Sequence, residues 1–182
     1  HPWDNPLLEL ARNAGARLLT EIRLAIGDHP ADRVIGVTGS AGKSTTSAMI
    51  HHAIARVRPD LTPRLGGNIG GSLLDDPPPK NATLILELSS FMLHWLAGDG
   101  GDPADRFTPG ISVVTNISPN HLDWHETIEH YTTSKNAIFL ASPACEQPRS
   151  VPDADPDVDQ EIEAALKLTV PGDHNRSNAL LA

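Results

Sequence analysis

The sequence predicts an α/β fold, a mainly parallel sheet flanked by helices. Three observations predict it. Residues 34–38 (VIGVT) carry the β-branched residues of a buried strand, break at Gly39-Ser40-Ala41-Gly42 and run straight into a helical pattern. Residues 83–88 (TLILEL) are almost wholly apolar, as a central parallel strand should be. Strand-like and helix-like units then alternate, and small or polar residues gather at the carboxyl ends of the strands, where open α/β sheets bind ligands.

Composition sets the bounds. A chain of 182 residues is long enough for one domain with a real core, and 39% apolar with 20% charged residues describes a soluble globular protein. A net charge of −9 argues against a general nucleic-acid binder, so any phosphate binding must be local and built from backbone. Cys145 stands alone, which rules out an internal disulfide framework and fits a reducing compartment. No apolar run approaches the roughly 18 residues of a membrane span, and no signal-peptide core is present. The expectation is a cytoplasmic monomer that engages neither membrane nor nucleic acid.

The elements follow in order. NPLLELARNAGA has helical spacing, with Asn5 as N-cap, Pro6 at the first helical position and Gly15 to end it. An extended piece over residues 16–19 and a short helix through Ile26 lead to the first strand. After that strand, Gly39 and Gly42 permit positive φ and close approach of a ligand to the backbone. Lys43-Ser44-Thr45-Thr46 then opens a helix whose expected apolar face is Ala48, Met49, Ala53, Ile54 and Val57. Strand, glycine loop, lysine, hydroxyl and helix start make a phosphate cradle, a P-loop. The strict pattern G-x-x-x-x-G-K-[ST] is not met, because Val37 stands where its first glycine belongs; the plain alternative is an ordinary glycine-rich turn.

Residues 65–72 (LGGNIGGS) read as a glycine loop, either lying close to a ligand through Asn68 or simply flexible. Glu87 sits near the end of the apolar strand, where a carboxylate is expensive unless paired or bound to a metal. Next to a phosphate loop such an acid holds Mg²⁺; the alternative is a strand-edge Glu facing water. A third strand over residues 111–115 ends in NISPNHLDWH, whose His121, Asp123 and His125 alternate as metal or substrate contacts, or as solvated loop residues. A helix is expected over residues 126–140, and on periodicity alone Lys135 belongs on its solvent side. Two stretches resist packing, DDPPPK at 75–80 and the acidic, proline-rich residues 142–157.

GVTGSAGKSTT, GGNIG, LELSSF, NISPNHLDWH with YTTSK, and GDHNRSNALLA resemble, in content and order, the motifs of the Mur ligases. Those are ATP-dependent amide-bond formers of peptidoglycan precursor synthesis. GGNIG together with ELSSF is most similar to the branch that adds D-glutamate to UDP-N-acetylmuramoyl-L-alanine. The resemblance implies a division into residues 1–32, the tail of an amino-terminal domain and its linker, and residues 33–182, the central ATP-binding domain. Within the latter, residues 141–171 form a shortened acidic segment, and a carboxy-terminal domain is missing.

Carried over residue by residue, the resemblance implies that Gly39, Ser40, Ala41, Gly42, Lys43, Ser44 and Thr45 hold the ATP phosphates. Ser44, Glu87 and His121 are implied at Mg²⁺, two ions in all. Lys135 becomes a further metal ligand once carbamylated by CO₂, a modification that needs the neutral amine. Asn68 and Ser89 are implied on the muramoyl substrate and Asn175, in HNxxN, near adenine; Lys43, His121 and Lys135 would be catalytic. Ser40-Ala41, Asn120 and Trp124 depart from the residues most usual in that family. The alternatives are another Mur-type or folylpolyglutamate-synthase-like ligase, or a nucleotide-binding module without ligase activity.

Overall fold

The computed structural model describes residues 5–98 and 100–140. Cys145, Asn175 and the rest of the acidic segment and the HNxxN motif lie outside the described residues.

Four parallel strands form the sheet: β1 (Val34–Thr38), β2 (Pro63–Gly67), β3 (Thr83–Glu87) and β4 (Ile111–Val114). Their spatial order is β2-β3-β1-β4. β3 is buried along its whole length, as a strand covered on both faces must be. The twofold alternation of a strand separates its apolar residues between two clusters. Leu84, Leu86 and Leu88 meet Ile22, Ile26, Leu93, Leu96 and Ile138 on one face, while Ile85 meets Val37 and Ile50 on the other. Leu86 is fully buried. Leu86→Ala is therefore expected to cost about 2–5 kcal/mol of stability through lost transfer energy and a cavity. Urea denaturation checks it, and a loss below about 1 kcal/mol would mean the site collapses without penalty.

Several sequence expectations change here. The stretch read as a glycine loop begins as strand β2, with proline as its first residue and on a sheet edge, where a missing N–H is tolerated. Its Gly66 has no room for a side chain, since a Cβ would lie 2.6 Å from Leu73 Cδ1. Gly36, within β1, is closely packed too, because a Cβ there would meet Pro109 Cγ at 2.4 Å.

Helix α1 (Pro6–Asn13) is capped by Asn5 and buries nothing, whereas α2 (Glu21–Ile26) sends Ile22 and Ile26 into the core. Arg23 Nε donates to the Asp105 carbonyl at 2.9 Å and Gly110 N to the Ala31 carbonyl at 2.7 Å, so residues 21–33 are tied to the sheet.

Helix α3 (Lys43–Val57) buries Thr46, Ser47, Met49 and Ile50. Ala48 lies on the opposite, exposed side, and Val57, in the last turn, is 75% exposed, so the expected apolar face is only partly right.

Beyond β3, α4 (Ser90–Leu96) covers the sheet. The helix expected over 126–140 is broken up. A turn, α5 (Leu122–His125), ends at Glu126 with φ +64, Thr127 caps α6 (Ile128–Asn136), and a 3-10 turn follows over Ala137–Phe139. Among the described residues no helix is long and apolar enough to cross a membrane.

Candidate functional site

The parallel register brings the carboxyl ends of the strands together: Glu87 of β3 lies beside Val37 of β1 on one side and Gly67 of β2 on the other. The 39–42 loop leaves from this edge. Gly39 has φ +146, and a Cβ there would sit 1.9 Å from Thr115 Oγ1. Gly42, at φ +81, is the N-cap of α3. The first helical hydrogen bond runs from Thr46 N to the Gly42 carbonyl at 2.9 Å, so the N–H groups of Lys43, Ser44 and Thr45 precede the ladder. They give this end of the helix its positive character toward an anion.

Two ammonium groups converge on one carbonyl. Lys43 Nζ donates to Gly39 O at 3.0 Å, and Lys135 Nζ donates to the same oxygen at 2.8 Å. Lys135 is only 2% exposed and lies 4.8 Å from the centre of the Tyr131 ring. Periodicity placed this lysine in solvent; α6 instead packs it under the loop. Burial, and then the charge of Lys43, push its pKa down to about 8. That raises the share of neutral, nucleophilic amine.

Glu87 is 2% exposed. Its Oε1 accepts from Asn68 Nδ2 at 3.2 Å, while Oε2 has no hydrogen-bond partner among the described residues. Asn68 is held there by its own backbone, whose N–H donates to the Glu87 carbonyl at 2.9 Å. Gly67 makes this possible: its φ is +86, and a Cβ would lie 2.2 Å from Glu87 O. The GGN stretch is thus shaped by close backbone approach to β3, and the flexible-turn alternative is set aside.

The other residues singled out from the sequence are more scattered. Ser44 is exposed and Thr45 half-buried in the first turn of α3. Ser40 Oγ lies 2.7 Å from Tyr131 OH and donates to Ser118 O at 2.9 Å. Ser89 caps α4, its Oγ accepting from Met92 N at 3.1 Å. His121 is exposed, with φ +51, and its ring centre lies 5.0 Å from that of Phe91. Among the described residues no three His, Cys, Asp or Glu side chains are gathered so as to hold a metal ion. Asp123 is exposed, whereas His125 is buried against Ser90 Oγ at 2.9 Å and stacked on Phe91.

Burial, reinforced by nearby His130, pushes the His125 pKa down from 6.5 to about 4. The folded state therefore holds this ring neutral where the unfolded chain protonates it. Its contribution is fully present above pH 6.5 and is lost as pH falls toward 4. The urea midpoint is expected to fall steadily across that window, and more shallowly in His125→Phe. Identical pH profiles for the two proteins would show that His125 is not responsible.

Residues that sequence reasoning passed over complete the site. After β4, Thr115 and Asn116 make side-chain hydrogen bonds to the 39–42 loop, and the Ser118 backbone pairs with Ser40 Oγ. A Thr-Asn pair at a strand end gives no sequence signal for this, because the contact depends on β4 lying beside β1.

A family model described as the Mur ligase middle domain matches residues 37–160. The chain is 43% identical over 140 residues to the UDP-N-acetylmuramoylalanine–D-glutamate ligase of Symbiobacterium thermophilum, covering 76% of this chain and 28% of that protein. It is 39% identical over 149 residues to the enzyme of the same name from Roseobacter denitrificans, covering 76% and 30%. The chain thus spans under a third of the length of these curated relatives. Among solved structures it shares the fold of the UDP-N-acetylmuramate:L-alanyl-gamma-D-glutamyl-meso-diaminopimelate ligase from Neisseria meningitides. The TM-score is 0.55 at 17% identity, with 96% of this chain and 67% of that chain covered.

Proposed function

The chain belongs to the Mur ligase family, and from that we propose that it is the ATP-binding part of a ligase joining D-glutamate to UDP-N-acetylmuramoyl-L-alanine. The observation that carries the reading is the buried Glu87, whose unpartnered Oε2 lies at the strand edge from which the glycine loop departs. An orphaned buried carboxylate oxygen is costly in a protein that never binds a cation there.

The unpartnered Glu87 Oε2 suits Mg²⁺, which takes hard oxygen ligands. Glu87 and Ser44 would supply oxygens, His121 a nitrogen, and Lys135 two oxygens once carbamylated. The lowered pKa of Lys135 supports that modification, because CO₂ adds only to the neutral amine. When bound, the metal supplies charge neutralisation across the phosphates.

The chain's own groups do the rest. Lys43 and the N–H groups opening α3 face the β- and γ-phosphates and stabilise charge that builds there. Asn68 and Ser89, at the same edge, are the proposed contacts to the muramoyl substrate. In the proposed reaction, a substrate carboxylate oxygen attacks the γ-phosphorus and ADP leaves, giving an acyl phosphate. The amine of D-glutamate then attacks the acyl carbon, loses a proton and expels phosphate. Asn175 is the proposed adenine contact. This reading takes the protein to be cytoplasmic and monomeric, with residues 1–32 leading in from an amino-terminal lobe.

Calorimetric titration with ATP, with and without Mg²⁺, tests it. The 182-residue chain on its own is expected to bind weakly, nearer the millimolar than the micromolar end (about −4 rather than −8 kcal/mol). Lys43→Ala should weaken binding by a further ~1.5–3 kcal/mol, the usual worth of hydrogen bonds to a charged group. An unchanged affinity in Lys43→Ala would sink the phosphate-loop assignment. Nucleotide hydrolysis that ignores the muramoyl substrate in a complete protein carrying this domain would favour a module without ligase activity.

A further inference from the structure

We propose that Asn116 is a positioning residue that holds the 39–42 loop in the shape that receives a phosphate. The inference rests on the phosphate-binding reading above and goes beyond it in naming what gives a glycine loop its shape. Two glycines at positive φ give such a loop wide conformational freedom, so something outside it must select one conformation.

The Asn116 side chain acts as a substitute peptide unit. Its Oδ1 accepts from Ala41 N at 3.0 Å and its Nδ2 donates to Ala41 O at 3.0 Å. Its backbone carbonyl accepts from Ser40 N at 2.9 Å. Both polar groups of Ala41 and the N–H of Ser40 are therefore engaged by one residue of the strand-following segment. Thr115 assists from beside it, donating through Oγ1 to Ala41 O at 2.5 Å and occupying the space that a Gly39 side chain would need. Ser118 closes the far end, its N–H donating to Ser40 Oγ at 2.9 Å.

With Ser40 and Ala41 turned toward β4, the N–H groups of Lys43, Ser44 and Thr45 are left as the donors for an anion. Preorganising these donors spares the ligand the cost of ordering the loop. Only a neutral amide meets the requirement. Aspartate keeps the acceptor for Ala41 N but loses the donor to Ala41 O, and it brings negative charge to a phosphate site. Alanine loses both hydrogen bonds.

The test uses the 182-residue chain, with amide hydrogen exchange as one readout and calorimetry with Mg-ATP and with inorganic triphosphate as the other. Asn116→Ala should speed exchange at Ser40 and Ala41 and weaken both ligands, each by about tenfold, the worth of one or two hydrogen bonds. Asn116→Asp should protect Ala41 better than alanine does, yet bind both ligands more weakly still. A merely structural asparagine would not produce that reversal. Unchanged exchange in Asn116→Ala overturns the clamp, and faster exchange with unchanged affinity overturns the positioning role. If the alanine variant fails to fold, the isosteric aspartate decides alone: ligand affinity equal to the parent's overturns the proposal. A parent chain that binds neither ligand, and matches Lys43→Ala, overturns the phosphate reading itself; a parent that binds while the Asn116 variants bind equally well overturns this inference only.

Discussion

Lys135→Ala, made in a complete ligase carrying this domain, is expected to reduce turnover by roughly 10²–10³-fold or more, as losing one preorganised electrostatic group does. The fold should survive. Lys135 shares Gly39 O with Lys43 Nζ, so that carbonyl keeps a donor when the buried lysine is gone. A small carboxylate such as formate or acetate should restore part of the rate by standing where the proposed carbamate stood. Partial rescue separates a lost metal ligand from a lost packing contact, which no anion could repair. Normal turnover in Lys135→Ala would reduce Lys135 to a buried structural lysine.

The second large effect is expected at Glu87. Glu87→Gln keeps the size and an oxygen for Asn68 Nδ2, now at 3.2 Å from Oε1, but removes the charge that would hold Mg²⁺. Activity in the complete enzyme should fall roughly 10²-fold or more, with Mg²⁺ no longer strengthening nucleotide binding. Stability should hold or rise, because a buried, half-partnered carboxylate costs folding energy that a neutral amide does not. The two readouts move in opposite directions only if the carboxylate is kept for a ligand. A clear drop in the thermal midpoint, with Mg²⁺ dependence intact, would make Glu87 a structural acid.

Much of the frame was legible in the residues. β1, β3 and β4 carry dense apolar or β-branched runs that read as strands. In β1 and β3 such runs also state their own burial, whereas β4, at the sheet edge, leaves Ile111 54% exposed. Asn5, Pro6 and Gly15 announce the ends of α1 through local chemistry that needs no tertiary partner, and Gly15 follows the helix at φ +75. The glycine loop with Lys43 was legible for the same reason, since its function depends on backbone freedom and on a helix start that follows directly in the chain. β2 was not legible. PRLGG has almost no strand propensity, and it is a strand only because β3 offers it hydrogen bonds and Leu73 packs into the space that Gly66 leaves.

The candidate site divides along the same line. By itself the sequence determined the strand–loop–helix unit at residues 34–57, the position of Glu87 at a strand end and the family motifs in order, all of which are contiguous patterns. Tertiary structure decided which way single polar residues face. It buried Lys135, which periodicity left in water. It also turned Asn68 onto Glu87 and His125 onto Ser90, and brought Asn116 to Ala41 across 75 positions of chain. The physical reason is that burial and hydrogen bonding of one side chain depend on which neighbour the sheet order supplies, and that order, β2-β3-β1-β4, is a property of the whole packed chain.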